Sequence, residues 1–199
     1  MKEALIIFVK NPVIGKVKTR LAAKVGDEKA LQIYLQLLEH TRSIVTSVVA
    51  DKFIFYSDTH DNNDLWPNTI FNKKKQYGNN LGEKMLNAFN EIFETDYEKV
   101  SIIGSDCLEL TAAIINQGFK DLESADVVIG PATDGGYYFL GMKKINPLLF
   151  DDIDWSTSKV FEQTIAVCNN EQLTYSLLPI LNDIDEETDW ILVSEHSSL

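Results

Sequence analysis

Short apolar runs recur along the chain and alternate with longer segments of helical periodicity. The runs are rich in β-branched and aromatic residues, which predicts buried strands. They lie at residues 4–9 (ALIIFV), 52–57 (KFIFYS), 100–104 (VSIIG), 125–130 (ADVVIG) and 137–142 (YYFLGM). Apolar residues at three-to-four spacing predict helices at 28–49, at 81–93, after Thr111 and at 158–169. Asp27 is the expected N-cap of the first of these helices.

Strands that alternate with helices predict a mostly parallel sheet covered on both faces, because parallel neighbours need crossover connections. The run at 137–142 follows 125–130 too closely for a crossover helix, so we expect it to run antiparallel. The prediction is an α/β fold, a three-layer α/β/α sandwich with a mostly parallel, mixed sheet, forming one domain over residues 1–199. The loops after the first strand and after the strand at 100–104 should then meet at one rim.

Composition narrows the possible partners. The chain of 199 residues carries a net charge of −12, which disfavours binding to nucleic acid. Cys107 and Cys168 form no metal or disulfide pattern, so a reducing cytoplasm is expected. The apolar run at 4–9 is too short to span a bilayer, and no membrane insertion is expected.

A basic loop follows the first predicted strand, in the segment KNPVIGKVKTR at residues 10–20. Gly15 permits a turn, and Lys10, Lys16, Lys18 and Arg20 are suited to bind phosphate oxygens. The segment lacks the GxxxxGK[ST] pattern of a Walker A loop. A phosphate cradle and a solvated basic loop both remain open on these residues alone.

Two further segments place polar residues at strand ends. Asp106 follows the strand at 100–104 and is either a ligand for a hard divalent cation or an ordinary turn residue. Asp134-Gly135-Gly136 allows backbone to approach a ligand closely, but Asp-Gly is also a common reversal signal. The following Tyr137 and Tyr138 should point to opposite faces of their strand, one of them toward the site.

The last acidic run, LNDIDEETDW at 181–190, has two interpretations. Acids are favoured in the first turn of a helix, so capping of a C-terminal helix explains most of the run. Asp183 and Asp185 alternate around Ile184, and one of them is a candidate to point into the site.

Taken together, six segments in order resemble the glycosyltransferase-like family of radical-SAM/selenodomain-associated transferases, a branch of the nucleotide-diphospho-sugar transferase (GT-A) superfamily. The segments are KNPVIGKVKTRLA, QYGNNLGEKMLNAF, IGSDCLEL, VVIGPATDGGYYFLGM, DIDWSTSKV and LPILNDIDEETDW. The resemblance covers nearly the whole chain and implies a GT-A, Rossmann-like fold that binds a nucleotide or nucleotide-sugar.

The resemblance also implies roles for individual residues. Lys10, Gly15, Lys18 and Arg20 match the loop that faces the nucleotide phosphates. Asp106 and Asp185 match metal-binding positions, and Asp134, Gly135 and Gly136 match a signature near the acceptor. The residues expected to carry the chemistry are Lys18, Asp106 and Asp134.

The expected function is a cytoplasmic transferase that depends on Mg²⁺ or Mn²⁺ and acts on a nucleotide or nucleotide-sugar and an unknown acceptor. Glycosyl transfer is slightly favoured by the resemblance. Nucleotidyl transfer to a phosphorylated acceptor, with release of pyrophosphate, is the alternative, because several cations suit a triphosphate. A nucleotide-binding module without turnover is the third hypothesis, since fold analogy does not select a reaction.

Overall fold

The computed structural model describes residues 2–59 and 64–196. In these ranges seven strands form one sheet, and helices pack on both of its faces. The strands are β1 Glu3–Val9, β2 Asp51–Tyr56, β3 Phe71–Lys75, β4 Lys99–Ile103, β5 Val127–Pro131, β6 Tyr137–Met142 and β7 Tyr175–Leu177. The helices are α1 Thr19–Val25, α2 Asp27–Thr46, α3 Leu81–Phe93, α4 Ala112–Asp121, α5 Val160–Asn170 and α6 Glu187–His196, with a 3₁₀ turn at Pro147–Leu149.

The sheet has the order β3-β2-β1-β4-β6-β5-β7. All neighbours are parallel except β6, which runs antiparallel to both β4 and β5. The predicted α/β class and the antiparallel direction of residues 137–142 are therefore confirmed. β4 is buried at all five positions, as expected for a central strand covered by helices on both faces.

Two hydrophobic clusters, one on each face of the sheet, form the core. On one face Leu21 of α1, Leu37 of α2 and Phe119 of α4 pack together. On the other, Phe89 of α3 and Cys168 of α5 do the same. The arrangement gives the three layers predicted from the alternation of strands and helices.

Three local features differ from the sequence expectation. Gly26, with φ 87°, is the N-cap of α2, and Asp27 is the first helical residue. Gly26 takes this position because it also ends α1, donating its N–H to the carbonyl of Ala22 at 2.8 Å. Strands β3 and β7 were not predicted, since they lie at the two edges of the sheet and β7 has only three residues. Helix α1, which has seven residues, was not predicted either. Edge strands lack the long apolar run of a buried strand.

No helix within residues 2–59 and 64–196 combines the length and apolar character needed to cross a bilayer. Cys107 and Cys168 are both buried free thiols. Burial raises the pKa of the Cys107 thiol, and the nearby Asp183 carboxylate raises it further. Cys107 is therefore a packed, protonated side chain.

Candidate active site

A cavity of about 690 Å³ opens at the carboxyl ends of β1 and β4. The loop after β1 and the loop after β4 both line it, as the rim argument predicted. Of the residues proposed from sequence, the cavity is lined by Lys10, Lys18, Arg20, Asp106, Asp134, Gly136 and Asp185, together with Lys16 and Asp183. Gly15 and Gly135 are not among its lining residues.

Lys18 lies at the centre of the site. Its side chain is only 7% exposed, and Nζ donates to Asp106 Oδ2 and to Asp185 Oδ1 at 2.9 Å each. The side chain turns inward because Lys18, the N-cap of α1, has the left-handed backbone conformation φ 45°, ψ 48°. The preceding Val17 is 2% exposed and anchors the turn in the core. The loop is thus not simply a solvated surface segment.

The charges of this triad stabilise one another. Burial opposes protonation of Lys18, but the carboxylates of Asp106 and Asp185 outweigh it and raise the pKa of the ammonium. For Asp185 burial also opposes the charged form, yet the Lys18 ammonium outweighs it and lowers the pKa of the carboxyl. The site therefore holds one buried cation between the Asp106 and Asp185 side chains.

Different residues of the acidic run at 181–190 cap helix α6 and line the cavity. Asp189 performs the capping, since its Oδ2 accepts from the backbone N–H of Asp185 at 3.0 Å and of Glu186 at 2.8 Å. The carboxylate of Asp185 is therefore left to bind Lys18, and Arg20 NH1 lies 3.8 Å from its other oxygen. The two interpretations of the run are both correct, for different residues.

Asp183 is a further carboxylate of the site. The chain beside it is pinned to the 132–134 turn, since the Thr133 N–H donates to the Leu181 carbonyl at 3.0 Å. Asp183 Oδ1 is buried and has no hydrogen-bond partner within the described residues. Burial, followed by repulsion from Asp106, raises the pKa of Asp183 to about 8.

The Asp134-Gly135-Gly136 segment is a tight turn at the edge of the cavity. Asp134 Oδ1 accepts from the Gly136 N–H at 2.8 Å. Gly135 has φ 87°, and a Cβ there would lie 2.1 Å from the carbonyl oxygen of Ser158. The Gly135 carbonyl in turn accepts from Phe161 at 2.9 Å. Glycine is therefore required at position 135 for structural reasons, because this residue joins the turn to the segment that begins α5. Asp134 and Gly136 line the cavity.

The other residues of the basic loop are arranged around its outer end. Lys10 is held through its backbone, which exchanges hydrogen bonds with the Tyr34 hydroxyl at 2.8 and 3.0 Å. Gly15 has φ 74° and makes the turn that the sequence predicted. The Arg20 side chain is 68% exposed, and the side chains of Lys10 and Lys16 are exposed as well. Three cations therefore remain available to a ligand.

Sequence reasoning missed most of an apolar wall of the cavity. The wall is formed by Leu81 and Met85 of α3 together with Tyr137, Trp155 and Val160. The periodicity of α3 indicated only core residues, and it gave no sign that its first turn lines a cavity. The Tyr137 and Trp155 rings meet edge to face at 6.5 Å. Tyr137 and Tyr138 do belong to opposite faces of the sheet, as expected.

The carboxylate oxygens of the site fit a divalent cation that is held partly by the protein and partly by the substrate. No group of three or more His, Cys, Asp or Glu side chains within residues 2–59 and 64–196 is arranged as a protein-only metal site. Asp106 and Asp185 nevertheless converge on one cation, the Lys18 ammonium. Mg²⁺ is commonly held by one or two carboxylates with phosphates and waters, so these two residues suffice.

Solved structures with the same fold include proteins designated as nucleotide-sugar and nucleotidyl transferases. A protein designated a nucleotide-diphospho-sugar transferase from Desulfovibrio desulfuricans G20 is 31% identical, with 100% of this chain and 89% of that one covered and a TM-score of 0.92. The inositol-1-phosphate CTP transferase from T. maritima is 12% identical, with 95% and 91% covered and a TM-score of 0.61. The fold is that of nucleotide-diphospho-sugar transferases and nucleotidyltransferases.

Within this fold class, the chain belongs to the family described as "Uncharacterized protein conserved in bacteria (DUF2064)", whose match covers residues 40–157. A complex of Rv0371C from Mycobacterium tuberculosis H37Rv with manganese shares the fold at 8% identity, with 99% of this chain and 100% of that chain covered and a TM-score of 0.58.

A curated relative is the threonine–tRNA ligase of Rickettsia typhi (strain ATCC VR-144 / Wilmington), 33% identical over 102 residues. The match covers 51% of this chain but only 14% of the ligase.

Proposed function

We propose that this protein is a transferase that binds a nucleotide or nucleotide-sugar together with Mg²⁺ or Mn²⁺ and transfers a group to a second substrate. One observation carries the proposal: two carboxylates from distant segments, Asp106 and Asp185, enclose a cation beside a loop with exposed basic side chains. The names of its structural relatives, a nucleotide-diphospho-sugar transferase and a CTP transferase, support the same substrate class.

In this proposal the basic loop binds the phosphates. Lys10, Lys16 and Arg20 are exposed at one side of the cavity, and charge-assisted hydrogen bonds to phosphate are the strongest contacts they can make. Asp106 and Asp185 hold the divalent cation, which when bound neutralises charge that develops on the phosphate leaving group. A manganese complex of a protein with the same fold supports this choice of metal. Lys18 holds both carboxylates in place until the metal binds, and its ammonium then adds a positive charge beside the phosphates.

Glycosyl transfer remains the favoured reaction, because the relative with the higher identity is designated a nucleotide-diphospho-sugar transferase. Nucleotidyl transfer is the second candidate, favoured by the number of cations in the loop and by the CTP transferase of the same fold. The unpaired thiols of Cys107 and Cys168 support a reducing, cytoplasmic location as part of the proposal. A single domain over residues 1–199 and a lack of nucleic-acid partners remain predictions.

A product assay tests the proposal. The protein is incubated with Mn²⁺ and a panel of nucleoside triphosphates and nucleotide-sugars, with sugars, polyols and their phosphate esters as acceptors. Release of nucleoside diphosphate identifies glycosyl transfer, and release of pyrophosphate identifies nucleotidyl transfer. Asp106→Asn should abolish either product. Tight nucleotide binding without any product would show a binding module, and no binding at all would contradict the proposal.

A further inference from the structure

The backbone of Lys10 lies where strands β1 and β4 part. The two strands pair in parallel only as far as Ile7 and Ile103. Beyond that point β1 continues to bond on the β2 side, where the Val9 carbonyl accepts from the Ser57 N–H at 2.9 Å. The N–H and C=O groups of Lys10, which directly follows β1, therefore need a partner outside the sheet.

The hydroxyl of Tyr34 is that partner. It accepts from the Lys10 N–H at 2.8 Å and donates to the Lys10 carbonyl at 3.0 Å. The Ser105 hydroxyl lies 3.5 Å away, and Ser105 directly precedes Asp106. Burial raises the pKa of Tyr34 to about 12, so the hydroxyl keeps the proton that it donates. One hydroxyl therefore contacts both the loop after β1 and the loop after β4.

The core holds this hydroxyl in place. Tyr34 belongs to the 20-residue helix α2, is 3% exposed and lies in the same hydrophobic cluster as Ile33 and Leu37. A close-packed ring has little freedom to move, so its hydroxyl is a fixed point for the chain that it contacts. Residues 12–16 of the basic loop are exposed by contrast. The loop is therefore fixed at its base and open at its tip.

Among the exposed cations of the loop, Lys10 is the one whose backbone this hydroxyl binds. Its side chain is exposed and lines the cavity, so the place of its ammonium depends on how the backbone is held. Lys16 and Arg20 lie nearer to the other attachment of the loop, where Val17 is buried. Loss of the Tyr34 hydroxyl should therefore affect Lys10 more than the other two cations.

We propose that Tyr34 is a positioning residue of the site, and that its hydroxyl holds Lys10 where the ammonium binds a phosphate group of the ligand. The inference rests on the proposed function, in which the basic loop binds phosphates. It goes beyond that function by giving a role to a buried tyrosine of α2 that acts through Lys10. Because the same hydroxyl lies against Ser105, it also keeps Lys10 at a fixed place relative to Asp106.

A double-mutant cycle tests this inference. Calorimetry measures the affinity for inorganic pyrophosphate of the wild-type chain, Tyr34→Phe, Lys10→Ala and the double variant. Lys10→Ala should weaken binding about tenfold in the wild type but less than about threefold in Tyr34→Phe, because the ammonium is then no longer held in place. A merely structural loss in Tyr34→Phe would leave the effect of Lys10→Ala the same in both backgrounds.

Tyr138→Phe is the matched control. Tyr138 is also 3% exposed and lines the same cavity, but its hydroxyl donates to the Pro179 carbonyl at 2.8 Å. In this background Lys10→Ala should still weaken pyrophosphate binding about tenfold. Arg20→Ala should weaken binding by the same factor with and without the Tyr34 hydroxyl, because helix α1 holds Arg20.

Amide hydrogen exchange is a second measurement, and it needs no ligand. The Lys10 amide should be protected in the wild type and should exchange at least about tenfold faster in Tyr34→Phe, with the Ser57 amide as the reference. Rapid exchange of the Lys10 amide in the wild type overturns the inference even if Tyr34→Phe is poorly folded. An effect of Lys10→Ala on affinity that does not depend on the Tyr34 hydroxyl also overturns it. If pyrophosphate fails to bind the wild type, the proposed function fails, whereas faster exchange at Lys10 in Tyr34→Phe still supports the link between Tyr34 and the loop.

Discussion

The carboxylates of Asp106 and Asp185 accept hydrogen bonds from the same ammonium, although one follows β4 and the other precedes α6. Each lies 2.9 Å from Lys18 Nζ. Lys18 therefore fills the position between the two carboxylates that a divalent cation would need. A metal ion that uses these oxygens must compete with the ammonium, and nucleotide phosphates offer Lys18 new partners. Metal and nucleotide should then bind cooperatively.

Replacing Lys18 by Met should tighten the binding of Mn²⁺ alone by at least about tenfold, because it removes the competing charge. The free Mn²⁺ concentration is measured by electron paramagnetic resonance without nucleotide. Lys16→Met is the matched control, since Lys16 lies in the same loop but is exposed. Unchanged Mn²⁺ binding by Lys18→Met, or an equal gain in Lys16→Met, would contradict the competition.

Arg20→Ala should weaken nucleotide binding by about 1 to 2 kcal/mol, the size of one charge-assisted hydrogen bond. The melting temperature should not change, because the guanidinium is 68% exposed and lies 3.8 Å from its carboxylate neighbour. Calorimetry measures the affinity. Lys24→Ala, on the same helix but outside the cavity lining, is the control and should leave the affinity unchanged.

Asp183 should make the protein less stable as the pH rises. Burial and the Asp106 carboxylate raise its pKa to about 8 in the folded state, above the ordinary value of 3.8. The folded protein therefore binds the proton of the Asp183 carboxyl more tightly than the unfolded chain does. The free energy of unfolding should accordingly fall as the pH rises from about 4 to about 8.

Asp183→Asn should accordingly stabilise the protein more at pH 9 than at pH 5, by a difference on the order of 2 kcal/mol. Urea unfolding at the two pH values measures this difference, and the pH 5 measurement serves as the internal control. A stability change that is identical at both pH values would show that Asp183 is ionised in the folded protein throughout.

Gly135→Ala should destabilise the protein far more than Gly26→Ala. Both glycines have φ 87°, so both substitutions carry a backbone cost of about 1 to 3 kcal/mol. A Cβ at Gly26 meets nothing within 4 Å, whereas at Gly135 it would lie 2.1 Å from the Ser158 carbonyl oxygen. Thermal unfolding of the two variants compares them directly. Equal losses of stability in the two variants would mean that the segment around Ser158 moves aside at no cost in free energy.

Much of the fold was predictable because its central strands are apolar on both faces. β1, β2, β4, β5 and β6 all stood out as hydrophobic runs. β3, with the sequence Phe-Asn-Lys-Lys-Lys, did not, because an edge strand is only partly covered and tolerates charge. β7 has three residues, too few for a periodic pattern.

The position of the site was predictable, but the contacts within it were not. Asp106 ends a buried strand, and the rim rule for parallel sheets places it near the loop after β1. That Lys18 rather than another cation enters the site depends on its left-handed backbone, which a lysine rarely adopts and which no sequence pattern signals. Asp183 and Asp185 are told apart by contacts with segments distant in sequence, because the Thr133 N–H donates to the Leu181 carbonyl and the Ile184 N–H donates to the Asp106 carbonyl.

Gly82, on the first turn of α3, lies directly against the indole of Trp155. A Cβ at this glycine would be 2.2 Å from the Trp155 Nε1 atom. The two positions therefore constrain each other's evolutionary history. A relative that acquires a side chain at position 82 must replace or relocate the indole, and one that loses the indole is released from the need for glycine. Substitutions at these sites should covary, and they offer a paired route by which descendants of this fold exchange one ligand for another.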